Sequence, residues 1–148
     1  MKRSIERILT THTGSLPRSR TVVELMLAED KNPGARRAEF QAAVREAVAD
    51  VVHRQVEAGI DIINDGEQGR PDYTAHVLRR LSGFHGKSTT PLGTGDAEFP
   101  ELAELLKPFA SPFQYRPACT GPVDWTDWPA AQADIDLAKN AVKGARAE

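Results

Sequence analysis

The chain has 148 residues, enough for one domain, and we predict a single domain over residues 1–148. A closed eightfold β/α barrel needs at least about 200 residues, so the chain is too short for one. Hydrophobic residues make up 40% and charged residues 27%, which argues against global disorder. The net charge of −2 makes nucleic acid and an anionic membrane poor partners. No apolar run approaches a transmembrane helix, and the single cysteine, Cys119, favours a cytoplasmic protein.

Short apolar segments alternate with helical patterns along the chain. The helix predicted over 38–58 has apolar residues at steps of three and four, and Gly59 suits the left-handed residue that follows a helix. The stretch 86–95 is rich in Gly, Ser, Thr and Pro and is predicted as an exposed loop. The alternation predicts an α/β fold with parallel strands. The predicted strands are 7–11, 60–63 and 115–120, and the other helices are 21–28 (with Thr21 as the cap), 72–81, 100–107 and 129–144.

Polar residues follow each predicted strand, at the place where parallel α/β proteins build their sites. After the first strand, Gly14 lets backbone N–H groups come close to a ligand, and with Ser15 it could hold a carboxylate or phosphate beside His12. A tight turn with a satisfied histidine is the alternative. After the second strand, Asp65 and Glu67 could bind an ammonium, ligate a metal or act as an acid–base pair. The alternative there is a solvated turn capped by Asp65.

The third predicted strand carries a cysteine and is followed by two tryptophans. A metal site of Cys119 with His12 and Glu67 is conceivable, but a small buried apolar cysteine is the favoured interpretation. The chain contains no Cys-x-x-Cys or His-Glu-x-x-His pattern. Trp125 and Trp128 could stack on a flat heterocycle or form an apolar lid on neighbouring helices, and the residues leave both open.

Three segments together resemble the catalytic barrel of the cobalamin-independent methionine synthase family, and most of all its short single-barrel members. They are Ile-Leu-Thr-Thr-His-Thr-Gly-Ser-Leu-Pro-Arg at 8–18, Gln-Val-Glu-Ala-Gly-Ile-Asp-Ile-Ile-Asn-Asp-Gly-Glu at 55–67, and Cys-Thr-Gly-Pro-Val at 119–123. The resemblance spans nearly the whole chain. It implies a partial TIM (β/α)8 barrel comprising about the first three β/α units, with parallel strands.

The resemblance also implies an activity. Such enzymes transfer a methyl group from methyl-tetrahydrofolate polyglutamate to the thiol of homocysteine in methionine biosynthesis, with zinc holding the thiol as a thiolate. It places Thr13, Gly14 and Ser15 on the substrate carboxylate and Glu67 on its amino group. It places Trp128 on the methyl donor, with Trp125 as the alternative, and it leaves His12 and Asp65 as accessory residues.

The chain departs from the family pattern in three ways. The family's zinc ligands have no counterpart in it, so we expect no stoichiometric zinc and name no catalytic residue. Thr13 and Asp65 replace the family's usual apolar residue and histidine, which leaves alkyl transfer to another thiol as an alternative. A partial barrel would leave an open strand edge, so we expect self-association or a covering second chain. A non-catalytic truncated paralogue or half-barrel subunit is therefore a further alternative.

Overall fold

The structure is a computed structural model that describes residues 4–71, 73–87, 99–106 and 117–146. The chain divides into two compact units, Met1–Pro71 with Pro129–Glu148, and Asp72–Trp128. None of the described helices is both long enough and apolar enough to cross a membrane. The described elements are, in chain order, α1 (Arg20–Lys31), α2 (Arg37–Glu57), α3 (Tyr73–Arg80), β1 (Gly86–Lys87), α4 (Pro100–Leu106), β2 (Pro117–Ala118) and α5 (Trp128–Arg146).

The first helix is longer than predicted, and its cap is a different residue. Ser19, not Thr21, caps α1, because the Ser19 hydroxyl accepts a hydrogen bond from the backbone N–H of Val22 at 3.3 Å. The helix ends before Asn32, at the start of an Asn-Pro-Gly sequence. The buried carboxylate of Glu29 then accepts hydrogen bonds from the backbone N–H groups of Gly34 and Arg36, which holds the connection between α1 and α2.

The helix predicted over 38–58 is confirmed as α2, which runs from Arg37 to Glu57. Gly59 follows it with a φ of 75°, the left-handed conformation that glycine adopts without strain. The apolar stripe that predicted this helix is the side that is buried, because α2 packs against α1. Among the described residues, six side chains of the two helices form the buried apolar core: Val22, Leu25, Met26, Val48, Val51 and Val52.

The predicted partial β/α barrel with three parallel strands is wrong. The described residues are mainly helical, and the strands predicted over 7–11 and 60–63 meet in one isolated parallel bridge, between Thr11 and Ile62. Side chains occupy the backbone groups that a longer ladder would need. The carboxylate of Asp61 accepts the backbone N–H of Thr10 at 2.9 Å, and the Thr11 hydroxyl donates to the carbonyl of Ile62 at 2.7 Å.

The third predicted strand pairs with a segment that was predicted to be a loop. Within the described part of the chain it is reduced to β2, which pairs antiparallel with β1 in a two-stranded sheet, so Gly86 lies opposite Ala118. Glycine permits this approach, because a Cβ at Gly86 would lie 2.8 Å from a methyl carbon of Thr120. Residues 88–95 of the predicted loop and 115–116 of the predicted strand lie outside the described residues.

The remaining helices agree with the sequence patterns, except at one end. α3 and α4 coincide with the predicted helices 72–81 and 100–107 to within a residue or two, and residues 72 and 107 lie outside the described part. α5 begins at Trp128 and passes through Gly144, where the helix was predicted to end. Gly144 has no positive φ, so it continues the helix instead of capping it.

Asp61 joins the N-terminal segment to the chain that follows α2. Its side chain is only 8% exposed and forms an ion pair with Arg7, in addition to its hydrogen bond from Thr10. The Arg7 guanidinium, together with the Thr10 hydrogen bonds, holds the pKa of the Asp61 carboxyl far below its ordinary value. The ionised carboxylate is therefore favoured by folding.

We predict that Asp61→Asn lowers the stability of the protein in a pH-dependent way. A carboxyl with a depressed pKa contributes stability that is present above its unfolded pKa, about 3.9, and is lost as the pH falls through the folded value. The difference between the wild-type and Asp61→Asn unfolding midpoints should be constant above about pH 5 and shrink below about pH 4. Urea unfolding followed by circular dichroism measures it. Glu46→Gln, on the exposed side of α2, is the control, and a difference independent of pH would contradict the prediction.

Candidate functional site

One buried glutamine connects the end of α2 to the turn that carries the predicted carboxylates. Gln55 is 5% exposed, and its amide donates to the carbonyl of Asn64 at 2.8 Å and accepts the backbone N–H of Asn64 at 3.1 Å. The same NH₂ group also donates to the carbonyl of Val51 at 3.0 Å. Because both backbone groups of Asn64 are bonded to one side chain, the start of this turn is held against the helix.

Two turns lie side by side at this place, and we call residues 12–18 and 64–70 together the turn cluster. The backbone N–H of Leu16 donates to the carbonyl of Gly66 at 2.9 Å, and the Asn64 side chain donates to the carbonyl of His12 at 2.7 Å. The buried amide of Gln68 donates to the carbonyl of Leu16 at 3.1 Å. These bonds join segments that are about fifty residues apart in sequence, so the two polar motifs form one site.

The second turn contains two consecutive residues in the left-handed region. Gly66 has a φ of 59°, and a Cβ there would lie 3.0 Å from the side chain of Leu16, so glycine allows the close approach of the two turns. Glu67 has a φ of 57°, which costs energy for a residue with a side chain. The Asp65 carboxylate accepts the backbone N–H of Glu67 at 3.1 Å and supports this conformation.

The left-handed turn brings the carboxylate of Glu67 to the hydroxyl of Ser15. Ser15 Oγ donates to Glu67 Oε2 at 2.5 Å, the length of a short charge-assisted hydrogen bond. The guanidinium of Arg18 donates from Nη2 to the same hydroxyl at 3.3 Å and to the carbonyl of Glu67 at 2.8 Å. One hydroxyl therefore lies between a carboxylate and a guanidinium.

Both carboxylate oxygens of Asp65 accept hydrogen bonds from residues of its own turn. Both of its carboxylate oxygens accept from Nη2 of Arg70, at 2.7 and 2.6 Å, in addition to the Glu67 N–H. This is the arrangement of a capped turn whose charge is balanced by a neighbouring arginine. Of the two carboxylates, Glu67 is therefore the one placed beside Ser15, while Asp65 supports the backbone.

The other candidates of the first turn differ in exposure. Thr13 and Gly14 are exposed, and Gly14 has a φ of 93°. The ring of His12 is partly buried, and its Nε2 has no hydrogen-bond partner in the part of the chain that the structure describes. His12 also contributes to the wall of a cleft of about 500 Å³ between the first turn and the end of α2. The first turn thus has one side in contact with the second turn and another facing a cleft.

The two tryptophans belong to the second compact unit and stack on one another. The ring centroids of Trp125 and Trp128 are 4.7 Å apart with an interplanar angle of 24°. Trp125 is 46% and Trp128 62% exposed, so each ring keeps a large part of its surface open. The backbone bridge from Leu81 to Trp125 and the bond from Thr126 N–H to the carbonyl of Arg80 anchor this loop on α3.

The favoured interpretation of Cys119 as a buried apolar residue is wrong, because its thiol is exposed. In the described ranges, no three side chains of His, Cys, Asp or Glu lie close enough together to hold a metal ion. The zinc implied by the resemblance therefore finds no ligand set in that part of the chain. The expectation that the chain binds no stoichiometric zinc stays a prediction.

Three residues that organise the site were not among the sequence candidates: Gln55, Asn64 and Arg18. Gln55 carried a readable signal, since it is a polar residue among the apolar positions of the best helix pattern. Asn64 directly precedes Asp65 and has the side chain typical of a turn. Arg18 carried no local signal, because its partners Glu67 and Arg70 are about fifty positions away.

Comparison with known proteins agrees with the segments named above. Residues 8–92 match the family described as "Cobalamin-independent synthase, Catalytic domain". The match covers more than half of the chain and includes the whole turn cluster. The chain belongs to this family. The cobalamin-independent synthase resemblance stated from the sequence is thereby confirmed, whereas the barrel it implied is not what the described residues form.

Curated relatives of this synthase family carry the name 5-methyltetrahydropteroyltriglutamate–homocysteine methyltransferase. The one from Thermosynechococcus vestitus is 28% identical over 150 residues, which are 90% of this chain and 20% of that protein. The Salinibacter ruber protein is 33% identical over 75 residues, 51% of this chain and 10% of that protein. A Neisseria meningitidis protein is 28% identical over 145 residues, which are 87% of this chain and 19% of that protein. The chain thus spans a fifth or less of the length of these relatives.

We predict that Gln55→Leu destabilises the first unit and loosens the turn cluster. The substitution keeps the volume but leaves the backbone groups of Asn64 without their bonds, which costs about 1–3 kcal/mol. Gln41→Leu, an exposed position on the same helix, is the matched control and should stay within about 0.5 kcal/mol of wild type. Chemical denaturation gives both free energies of unfolding. Equal effects of the two substitutions would show that the Gln55 amide does not hold the turn.

Proposed function

We propose that the turn cluster binds the amino-acid end of the thiol substrate in a cobalamin-independent methyl transfer. The observation that carries the proposal is the contact between Ser15 Oγ and Glu67 Oε2 at 2.5 Å. The family resemblance implies a substrate-binding role for each of these residues, and the fold brings them together from positions 52 residues apart. Glu67 also adopts a strained left-handed conformation, and residues with such strain are concentrated at functional sites.

The charges of the site suit a small amino acid. The Glu67 carboxylate has four lone-pair positions, of which Ser15 occupies one, so it can accept an ammonium as well. The exposed backbone around Thr13, Gly14 and Ser15 can offer N–H groups to a carboxylate. Homocysteine, which appears in the relatives' name, carries both groups, and we propose it as the thiol.

We propose that the stacked tryptophans form the binding surface for the methyl donor. A flat, partly exposed indole pair offers a π-face to a pterin ring, and Trp128 is the more exposed of the two. The donor proposed is methyl-tetrahydrofolate polyglutamate, the class of co-substrate that appears in the relatives' name. Transfer to a different thiol remains the alternative within the family, because Thr13 and Asp65 depart from the family pattern.

We predict that the protein binds L-homocysteine and that Glu67→Gln weakens this binding about ten- to hundredfold. The substitution removes the charge that faces the ammonium, and a hydrogen bond to a charged group contributes about 1.5–3 kcal/mol. Isothermal titration calorimetry with L-homocysteine under reducing conditions measures the dissociation constants.

Glu46→Gln, which removes an exposed carboxylate from α2, is the matched control and should bind as wild type does. Circular dichroism confirms that each variant is folded. Equal affinities of the wild type and Glu67→Gln for L-homocysteine would refute the assignment of Glu67, and no binding by the wild type would refute the function.

A second candidate function, assembly with another copy of the chain, is favoured by one observation. Ile5, Ile8 and Ile62 are 82%, 86% and 42% exposed, and they lie on or beside the segments that meet at the single parallel bridge. Exposed isoleucines beside this bridge present apolar surface that a second copy of the chain can cover. We propose that this edge mediates self-association of the chain.

We predict that size-exclusion chromatography with light scattering gives a mass above the 16.2 kDa of one chain. Ile8→Lys should shift the protein toward the monomer, since a charged residue at an edge opposes strand pairing. Ile135→Lys, which places the same charge at an exposed isoleucine of α5, is the control. A monomeric wild type, or equal masses for all three proteins, would rule out this edge as the interface.

A further inference from the structure

Arg18 is held in place by acceptors that carry no charge. Its Nη2 donates to the carbonyls of Glu67 and Arg70 at 2.8 and 2.7 Å and to the hydroxyl of Ser15 at 3.3 Å. These three bonds come from both turns of the cluster, so the guanidinium has a defined orientation. They leave its positive charge without a directly bonded negative charge.

The carboxylates nearest to Arg18 are bonded to other groups. Asp65 is paired with Arg70, and Glu67 accepts the Ser15 hydroxyl. In the described part of the chain, Arg18 forms no ion pair. Its side chain is partly buried, and this burial lowers the pKa of the guanidinium. A partly buried cation without an anionic partner is unfavourable unless a ligand supplies the anion.

The cleft beside the first turn also contains this arginine without an anionic partner among the described residues. Two arginines line it, and Arg54 is paired there with Asp50 at 2.9 Å, whereas Arg18 is not paired. The Nε of Arg18 and the Nε2 of His12, both cleft residues, are buried and have no hydrogen-bond partner among the described residues. Nη1 of Arg18 makes no hydrogen bond to the described residues, which leaves it able to donate to a ligand.

The ammonium and carboxylate of an α-amino acid are attached to a single carbon, so a site for both needs opposite charges side by side. Ser15 Oγ is bonded to Glu67 on one side and to Arg18 on the other, which is such an arrangement. We propose that Arg18 is a further binding residue, which holds the carboxylate of the zwitterionic substrate beside the ammonium that the proposed function assigns to Glu67. This inference rests on the proposed function and adds Arg18 to the residues that bind its substrate.

The test compares two ligands that differ only in the carboxylate. L-homocysteine and its decarboxylated analogue, 3-aminopropane-1-thiol, are titrated calorimetrically into the wild type, Arg18→Gln and Arg18→Lys. Arg45→Gln, which removes an exposed arginine from α2, is the matched control. A residue that only shapes the site affects both ligands, whereas one that binds the carboxylate affects homocysteine alone.

We expect Arg18→Gln to weaken homocysteine binding about ten- to hundredfold and to leave the affinity for 3-aminopropane-1-thiol within twofold of wild type. Arg18→Lys should lose less, because it keeps the charge but not the planar fork. If Arg18→Gln is unfolded by circular dichroism, Arg18→Lys decides, through a selective loss of homocysteine affinity. The Arg45→Gln control should match the wild type for both ligands.

Two results would overturn the inference, and they differ in what they say about the proposed function. If the wild type binds homocysteine but the Arg18 variants lose both ligands equally or neither, Arg18 does not bind the carboxylate, and the proposed function stands. If the wild type binds no homocysteine, both the function and the role of Arg18 are refuted.

Discussion

The Gln55 side chain, buried in the last turn of α2, bonds both backbone groups of Asn64, and the candidate site depends on this link. Asn64 in turn donates to the carbonyl of His12 and accepts the backbone N–H of Gly66. A chain of hydrogen bonds thus runs from the helix through the second turn to the first. The α1–α2 core positions α2, so apolar packing and the polar site are mechanically connected.

Charge placement in the turn cluster follows from backbone conformation. The left-handed Glu67 directs its carboxylate toward Ser15, while the same turn offers its carbonyls to Arg18. Asp65 and Arg70 neutralise one another and cap the turn, which leaves Glu67 and Arg18 as the charges available to a ligand. The proposed site for a zwitterion therefore rests on five charged or polar side chains that have separate tasks.

The chain belongs to the family, but its described residues do not form the fold that the resemblance implied. The match to the cobalamin-independent synthase family covers residues 8–92 and includes the turn cluster. The described residues nevertheless form helices, one parallel bridge and a two-stranded antiparallel sheet instead of parallel barrel strands. The motif residues come together through hydrogen bonds between two turns, and that contact needs only a single bridge between the segments before them.

The sequence by itself determined the local features. Side-chain periodicity predicts helix α2 from its valines. Backbone freedom explains the break after α1 and the left-handed turn at Gly66. Both effects act within a few residues. It also singled out Ser15 and Glu67 as candidates. Only the tertiary structure decided which segments pair. It also decided that the Asp61 carboxylate accepts the backbone N–H of Thr10, and that Arg18 donates to the carbonyls of Glu67 and Arg70. These contacts join residues about fifty positions apart, and no local pattern encodes them.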